Sequence, residues 1–256
     1  MVKSSSSKKV VKDARGGNKK IFYIALGALA VAGIAFLSYT TMKPSAPTSF
    51  QLDSAIALVP NQGHVMGSDS ALVEVVEFAD FECPACGQFA SLTKPDVVTR
   101  FVNTGIIRFR FVDFPLQMHP NARAAHLAGW CAGEQNKFWE MHDAIFSVQD
   151  RWSGYATRRP NRVFSDLAKQ VGVNMDQYES CVSSNKYAGQ IQANVDEGIK
   201  RQVGGTPTFF IGRMRVSDPL SFDEFKRYVD QAVAQARAEK AAAPATKAPA
   251  TTTKRP

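Results

Sequence analysis

The sequence predicts an α/β protein. Three observations carry that expectation. Residues 71–112 follow a strand–helix–strand order, residues 119–202 are mostly of helical periodicity, and residues 204–240 return to strand, strand and helix. Of 256 residues, 45% are hydrophobic and 21% charged, which is ordinary for a globular chain and excludes full-length disorder or a collagen-like fibre. The length suits one or two domains.

The ends differ from the body. Residues 1–20 are polar, basic and rich in Gly and Ser, with no apolar face to bury, and are expected to be disordered. From Ile21 to Met42 there is no charge for 22 residues. At about 1.5 Å per residue this is roughly 33 Å of helix, enough to cross a bilayer core of about 30 Å. Seven Lys/Arg precede the stretch and Lys43 follows it, so the N-terminus should stay in the cytoplasm, with Tyr23 and Tyr39 near the two interfaces. A cleaved signal peptide is the alternative, but the stretch is long for one. Either reading puts the body outside the cytoplasm.

Residues 43–70 are a Pro/Ser linker and lead-in, and the Ala/Pro/Thr/Lys segment 241–256 is a low-complexity tail. The formal charge of +8 lies in the ends. Residues 1–44 carry eight Lys/Arg against one Asp, residues 241–256 three Lys/Arg and no acid, and the body 20 Lys/Arg against 22 Asp/Glu. A basic nucleic-acid-binding domain is thereby excluded.

Within the body, Ala71–Phe78 reads as a strand rich in β-branched residues. Phe89, Leu92, Val97 and Phe101 have the spacing of one helix face, and Ile106–Val112 alternates as a second strand. Phe138, Met141, Ile145 and Val148 form one helical stripe, and Tyr187, Ile191, Val195 and Ile199 another. Gly204-Gly205 stops that helix. Thr208–Ile211 and Met214–Val216 are short strands turned at Gly212-Arg213. Ser221 and Glu224 make a capping box for a last helix carrying Phe222, Phe225, Val229 and Val233.

Cys83-Pro84-Ala85-Cys86 follows a strand and opens a helix. Pro84 suits a first helical turn, because it lacks the N–H left unpaired there. Cys83 then sits where free N–H groups and the helix dipole favour negative charge, so its thiol pKa should fall. The thiolate is the attacking species in disulfide exchange, and Cys86, about one turn on, can close the disulfide. Half of a zinc site and a plain structural disulfide are the competing readings. Zinc wants a second closely spaced Cys/His pair, which Cys131, Cys181 and the four histidines do not supply. Gly205-Thr206-Pro207-Thr208 is the second signal, since proline cannot donate to a sheet ladder. A cis Thr206–Pro207 bond would turn free backbone groups towards a ligand; an ordinary strand-entry proline is the alternative.

The segments VEVVEFADFECPAC, FRFVDFPLQMHPNARAAHLAGWCAGEQNKFWEMHDAIF and VGGTPTFFIG, in that order across about 70–240, resemble the DsbA-like extracytoplasmic thiol–disulfide oxidoreductases of the thioredoxin superfamily. The resemblance implies a thioredoxin fold (71–118 and 204–240) with an inserted helical domain (119–203). It implies Cys83 as nucleophile, Cys86 as resolving cysteine, cis-Pro207 facing them after Thr206, and Glu77 as a buried acid passing protons to Cys86. A solvent-facing strand carboxylate is the other reading of Glu77. No cofactor or metal is required. The expected partners are exported proteins with cysteines and a membrane redox partner that recycles the enzyme. Ala85 stands where strongly oxidising relatives carry histidine, so oxidase, isomerase and reductase directions stay open, as does a redox-inactive binding module. In an oxidising compartment Cys131 and Cys181 are expected to pair, against two buried free thiols or a second redox couple. His119, Trp130, Trp139 and Trp152 read as structural, and Arg158, Arg159 and Arg162 as a solvated loop rather than a docking site.

Overall fold

The computed structural model describes residues 18–42, 48–51 and 62–242. The expectations for residues 1–17, most of the 43–61 linker and the tail from 243 lie outside the described residues. The chain divides into two units, 1–46 and 47–256.

The first unit holds helix α1 (Asn18–Met42, 25 residues). It takes in Asn18, Lys19 and Lys20, which composition alone assigns to the disordered tail; helix propagation costs little once the apolar turns that follow have formed. The side chains from Ile21 to Phe36 are exposed throughout. Among the described residues no helix is long and apolar enough to cross a membrane.

The second unit is built on a six-stranded sheet. Its strands are β1 (Thr48–Gln51), β2 (His64–Met66), β3 (Val73–Ala79), β4 (Ile107–Asp113), β5 (Thr208–Ile211) and β6 (Met214–Ser217), in spatial order β1-β6-β5-β3-β4-β2. β3 and β4 run parallel, with Val75 opposite Phe109 and Glu77 opposite Phe111; every other pair is antiparallel. β1 and β2 fall in the stretch expected to be linker and lead-in. Three or four residues held by backbone pairing leave no periodic signal to read.

Period-two alternation places β3 side chains on opposite faces. Val75 joins Phe89, Phe101, Phe109, Phe209 and Phe225 on one face; Val76 and Phe78 join Val112, Phe114 and Phe210 on the other. The connection from β3 to β4 runs through α2 (Pro84–Gln88), a π turn (Phe89–Thr93), α3 (Lys94–Val97) and a second π turn (Val98–Val102). Each π turn adds a residue per turn, so the apolar spacing slips. Phe89, Val97 and Phe101 are buried but Leu92, expected on the same face, is exposed.

Six helices follow β4: α4 (Ala122–Gly133), α5 (Phe138–Ser147), α6 (Gln149–Trp152), α7 (Asn161–Val171), α8 (Met175–Ser183) and α9 (Ala188–Lys200). Phe138, Met141 and Ile145 are buried in their core, as is Trp152 against Phe164. On α9, Ile191 is buried and Val195 packs at the sheet, but Ile199 is exposed, one turn beyond the contact. Gly198 allows that contact, since a Cβ there would lie 2.5 Å from the Phe114 ring. Cys131 of α4 and Cys181 of α8 are joined by a disulfide spanning 50 residues. The last helix, α10 (Phe222–Ala242), buries Phe225 and Val229 on the sheet and runs two residues past the boundary read from composition. Its capping box is formed: Ser221 Oγ accepts from Glu224 N at 3.4 Å, and Glu224 Oε2 accepts from Ser221 N at 3.0 Å.

Candidate active site

β3 ends where Asp80 begins a tight turn. Asp80 Oδ1 accepts from Glu82 N at 2.8 Å, and the Asp80 carbonyl accepts from Cys83 N at 3.1 Å. Cys83 is the N-cap of α2, with extended backbone, and Pro84 opens the helix. This turn delivers the Cys83 thiol to the segment before β5, where it donates to the Thr206 carbonyl oxygen at 3.2 Å. The Thr206–Pro207 bond is cis. Cys83 and Cys86 are both reduced and both buried, Cys86 completely.

The two thiols are driven apart in acidity. That of Cys83 is lowered to about 6, first by a hydrogen bond from Cys86, then by the Thr206 side chain and the backbone N–H groups of Cys86 and Ala85, against burial. The helix N-terminus therefore contributes as its position suggests, but the larger effect comes from the buried partner thiol. Thr206 Oγ1 is buried without a partner while Cys83 is a thiol. Ionisation turns the sulfur into an acceptor that the Thr206 side chain can serve. Burial, the Cys83 charge and Glu77 push Cys86 well above the ordinary thiol range.

Glu77 lies in the middle of β3, 2% exposed. Burial raises its pKa to about 8; Lys94 opposes the rise and Cys83 adds to it. A carboxyl poised there can hold or release a proton near neutral pH beside a thiol that must change protonation state. Lys94 is itself buried under the Trp139 ring and donates to Asp143 Oδ1 at 2.5 Å. The Asp143 side chain is 62% exposed, so the one carboxylate paired with Lys94 among the described residues opens to solvent.

The helical block braces the turn from four directions. Gln149 Nε2 donates to the Phe81 and Cys83 carbonyls at 2.7 and 3.0 Å. Glu82, buried, accepts from Asn121 N at 2.7 Å and Gly154 N at 2.5 Å. Asp80 Oδ2 accepts from Leu116 N at 2.8 Å and lies 2.7 Å from His119 Nδ1. His126 Nε2 accepts from Phe81 N at 3.4 Å, a tautomer fixed because Nδ1 faces Asp113 Oδ1 at 2.5 Å. Asp113 is held ionised by His126 and by a hydrogen bond from Trp130, despite burial.

Cys83, Cys86, Thr206, Pro207 and Glu77 thus occupy one site. Cys131 and Cys181 lie within the helical block. Sequence reasoning missed Asp80, Glu82, Lys94, His126 and Gln149; the run Asp80-Phe81-Glu82 before the first cysteine is the one local signal that could have pointed to a braced turn. A groove of about 390 Å³ opens along the same helix, lined by Gln88, Leu92, Thr93, Leu220 and Phe222. Among the described residues no group of three or more His, Cys, Asp or Glu is placed to hold a metal.

Over residues 60–231 the chain matches the family described as Thioredoxin. The chain belongs to the thioredoxin family. It is similar to "Disulfide bond formation protein D" of Bacillus subtilis, 28% identical over 65% of this chain and 75% of the relative. The crystal structure of oxidised BdbD from Bacillus subtilis superposes with a TM-score of 0.62 at 25% identity, covering 74% of this chain and 100% of that one. Wolbachia pipientis α-DsbA1 superposes with a TM-score of 0.65 at 19% identity, over 72% and 97% of the two chains, and so shares the DsbA-like fold. A protein named Na(+)/H(+) antiporter NhaA 3 of Salinispora tropica is 34% identical over 73% of this chain, but the match spans only 27% of that relative's length.

Proposed function

We propose that this thioredoxin-family chain is a DsbA-like thiol–disulfide oxidoreductase that oxidises cysteine pairs in exported proteins. The observation that carries the reading is the asymmetry of the two thiols: an acidified Cys83 at a helix start against the Thr206 carbonyl, and a fully buried, strongly basic Cys86. In the oxidised enzyme a substrate thiolate attacks Cys83 Sγ, the Cys83–Cys86 bond breaks, and Cys86 leaves with the electron pair. Glu77, protonated below about pH 8, supplies its proton. The second substrate thiolate then attacks the substrate sulfur of the mixed disulfide and expels Cys83 as a stable thiolate. Two electrons pass from substrate to enzyme, and a membrane redox partner removes them again. Substrate lies beside Cys83 and along the Thr206 backbone as an added strand.

Residues 21–42 anchor the enzyme in the membrane with the N-terminus cytoplasmic. The support is the helix Asn18–Met42, the uncharged run of its residues 21–42 and the basic residues before that run. The domain division follows the same reading: a core of 71–118 and 204–240 around an insertion at 119–203.

Direction is decided by the reduction potential. A Cys83 pKa of about 6 lies between the roughly 3.5 of DsbA and the roughly 7 of thioredoxin. The potential should therefore fall between about −120 and about −270 mV. Equilibrating the chain with glutathione buffers and counting Cys83 and Cys86 thiols measures it. A value at or below about −270 mV would make the protein a reductant instead.

A further inference from the structure

Between α6 and α7 the chain makes a surface loop whose position is fixed by the residue before the nucleophile. The Glu82 carboxylate holds Gly154 N, and Asn121 Nδ2 donates to the carbonyls of Trp152 and Thr157 at 2.7 and 2.8 Å. A side chain at Gly154 would strike the Pro120 ring at 2.4 Å, so the backbone is pressed against its support. The next residue, Tyr155, is completely exposed. A large aromatic ring in water on a pinned loop contributes nothing to the core and offers rigid contact area.

The same stretch of chain carries Arg151, Arg158, Arg159 and Arg162, all exposed. Some exposed cations elsewhere are paired, Arg100 with Asp96, Lys137 with Glu140 and Lys226 with Asp230. None of these four arginines has a carboxylate at salt-bridge distance among the described residues. The acids of the stretch, Asp150 and Asp166, are fewer than the arginines, so the patch is net positive on a folded body that is net negative. Guanidinium groups recognise carboxylates in planar, two-point geometry.

We propose that this loop is a docking surface for acidic sequence flanking the substrate cysteine, with Tyr155 as its apolar contact. The inference rests on the oxidoreductase reading and adds a substrate preference to it. Glu82 is the chain neighbour of Cys83, so a peptide seated on the loop that Glu82 pins is brought towards Cys83, where proximity raises the rate of attack.

Two dithiol peptides test it, identical except that one carries Asp and Glu around its cysteines and the other Lys. Oxidation by the full-length chain is followed at low and high salt, and binding of the same peptides with Ser for Cys is read by anisotropy. At low salt kcat/KM and affinity for the acidic peptide should exceed those for the basic one at least fivefold, and the difference should vanish in high salt. The double substitution Arg158→Glu/Arg159→Glu should reverse the preference while leaving Cys83 alkylation by neutral iodoacetamide unchanged. Equal affinity for both peptides, or a preference that survives the double substitution, overturns the proposal. Absence of turnover with either peptide overturns the oxidoreductase reading, and the binding measurement still decides the docking surface.

Discussion

Replacing Glu77 by Gln keeps the side chain's shape and removes its charge. In the fold the carboxyl titrates near 8 against an ordinary 4.5, chiefly because it is buried. An acid whose pKa is raised by folding binds its proton more tightly in the native state. Its contribution to stability is complete below about pH 4.5 and is lost progressively as pH rises to about 8. At pH 7 the native protein must keep protonated a group that the unfolded chain would ionise, which costs about 3 kcal/mol at about 1.4 kcal/mol per pH unit. Gln carries no such cost. Glu77→Gln should therefore be more stable than the parent by about 3 kcal/mol at pH 7 and nearly equal to it at pH 4. Urea unfolding of both proteins in the oxidised form, at the two pH values, measures the difference. In that form the smaller Cys83 contribution is gone and the burial contribution remains. The same variant should slow turnover on the order of 100-fold, as expected when a positioned acid–base is removed. A stability difference independent of pH would refute the reasoning, because Glu77 would then not titrate in this window.

Alkylation of Cys83 in the reduced protein should follow a midpoint near pH 6, with Cys86 unreactive up to pH 8; equal rates for the two thiols would contradict the asymmetry of the site. Replacing Cys131 and Cys181 by Ala should cost about 4 kcal/mol in the chain-entropy model for a loop of 50 residues, read by urea unfolding, while oxidation of a dithiol peptide persists. A loss of activity at permissive temperature would give that second disulfide a part in the chemistry.

The features legible in the sequence are those with local causes. β3, β4 and β5 announce themselves by β-branched and aromatic runs, α10 by its capping box, and the helix start at Cys83 by a Cys-Pro step at a strand–helix junction. What escaped reading depends on partners distant along the chain. Gln149 reaches the Cys83 carbonyl across 66 residues, and nothing near position 149 marks it. Glu82 and Asp80 look like solvated loop acids until Asn121, Gly154, Leu116 and His119 close on them. Lys94 is a residue type found mostly on surfaces, yet it lies buried where the π turn Phe89–Thr93 before it shifts the helical register. Leu92 is displaced outward for the same reason, and it lines the groove along α2.

The bracing of the Asp80–Cys83 turn bears on how such enzymes can be altered. Its hydrogen-bond partners come from α4, α6 and the loops on either side of them, so the helices between β4 and β5 form part of the wall around Cys83. Transplanting the four residues Cys83–Cys86 into another thioredoxin scaffold would carry over the cysteines without their supports. The position of the Cys83 turn depends on the helices between β4 and β5 as much as on the motif itself.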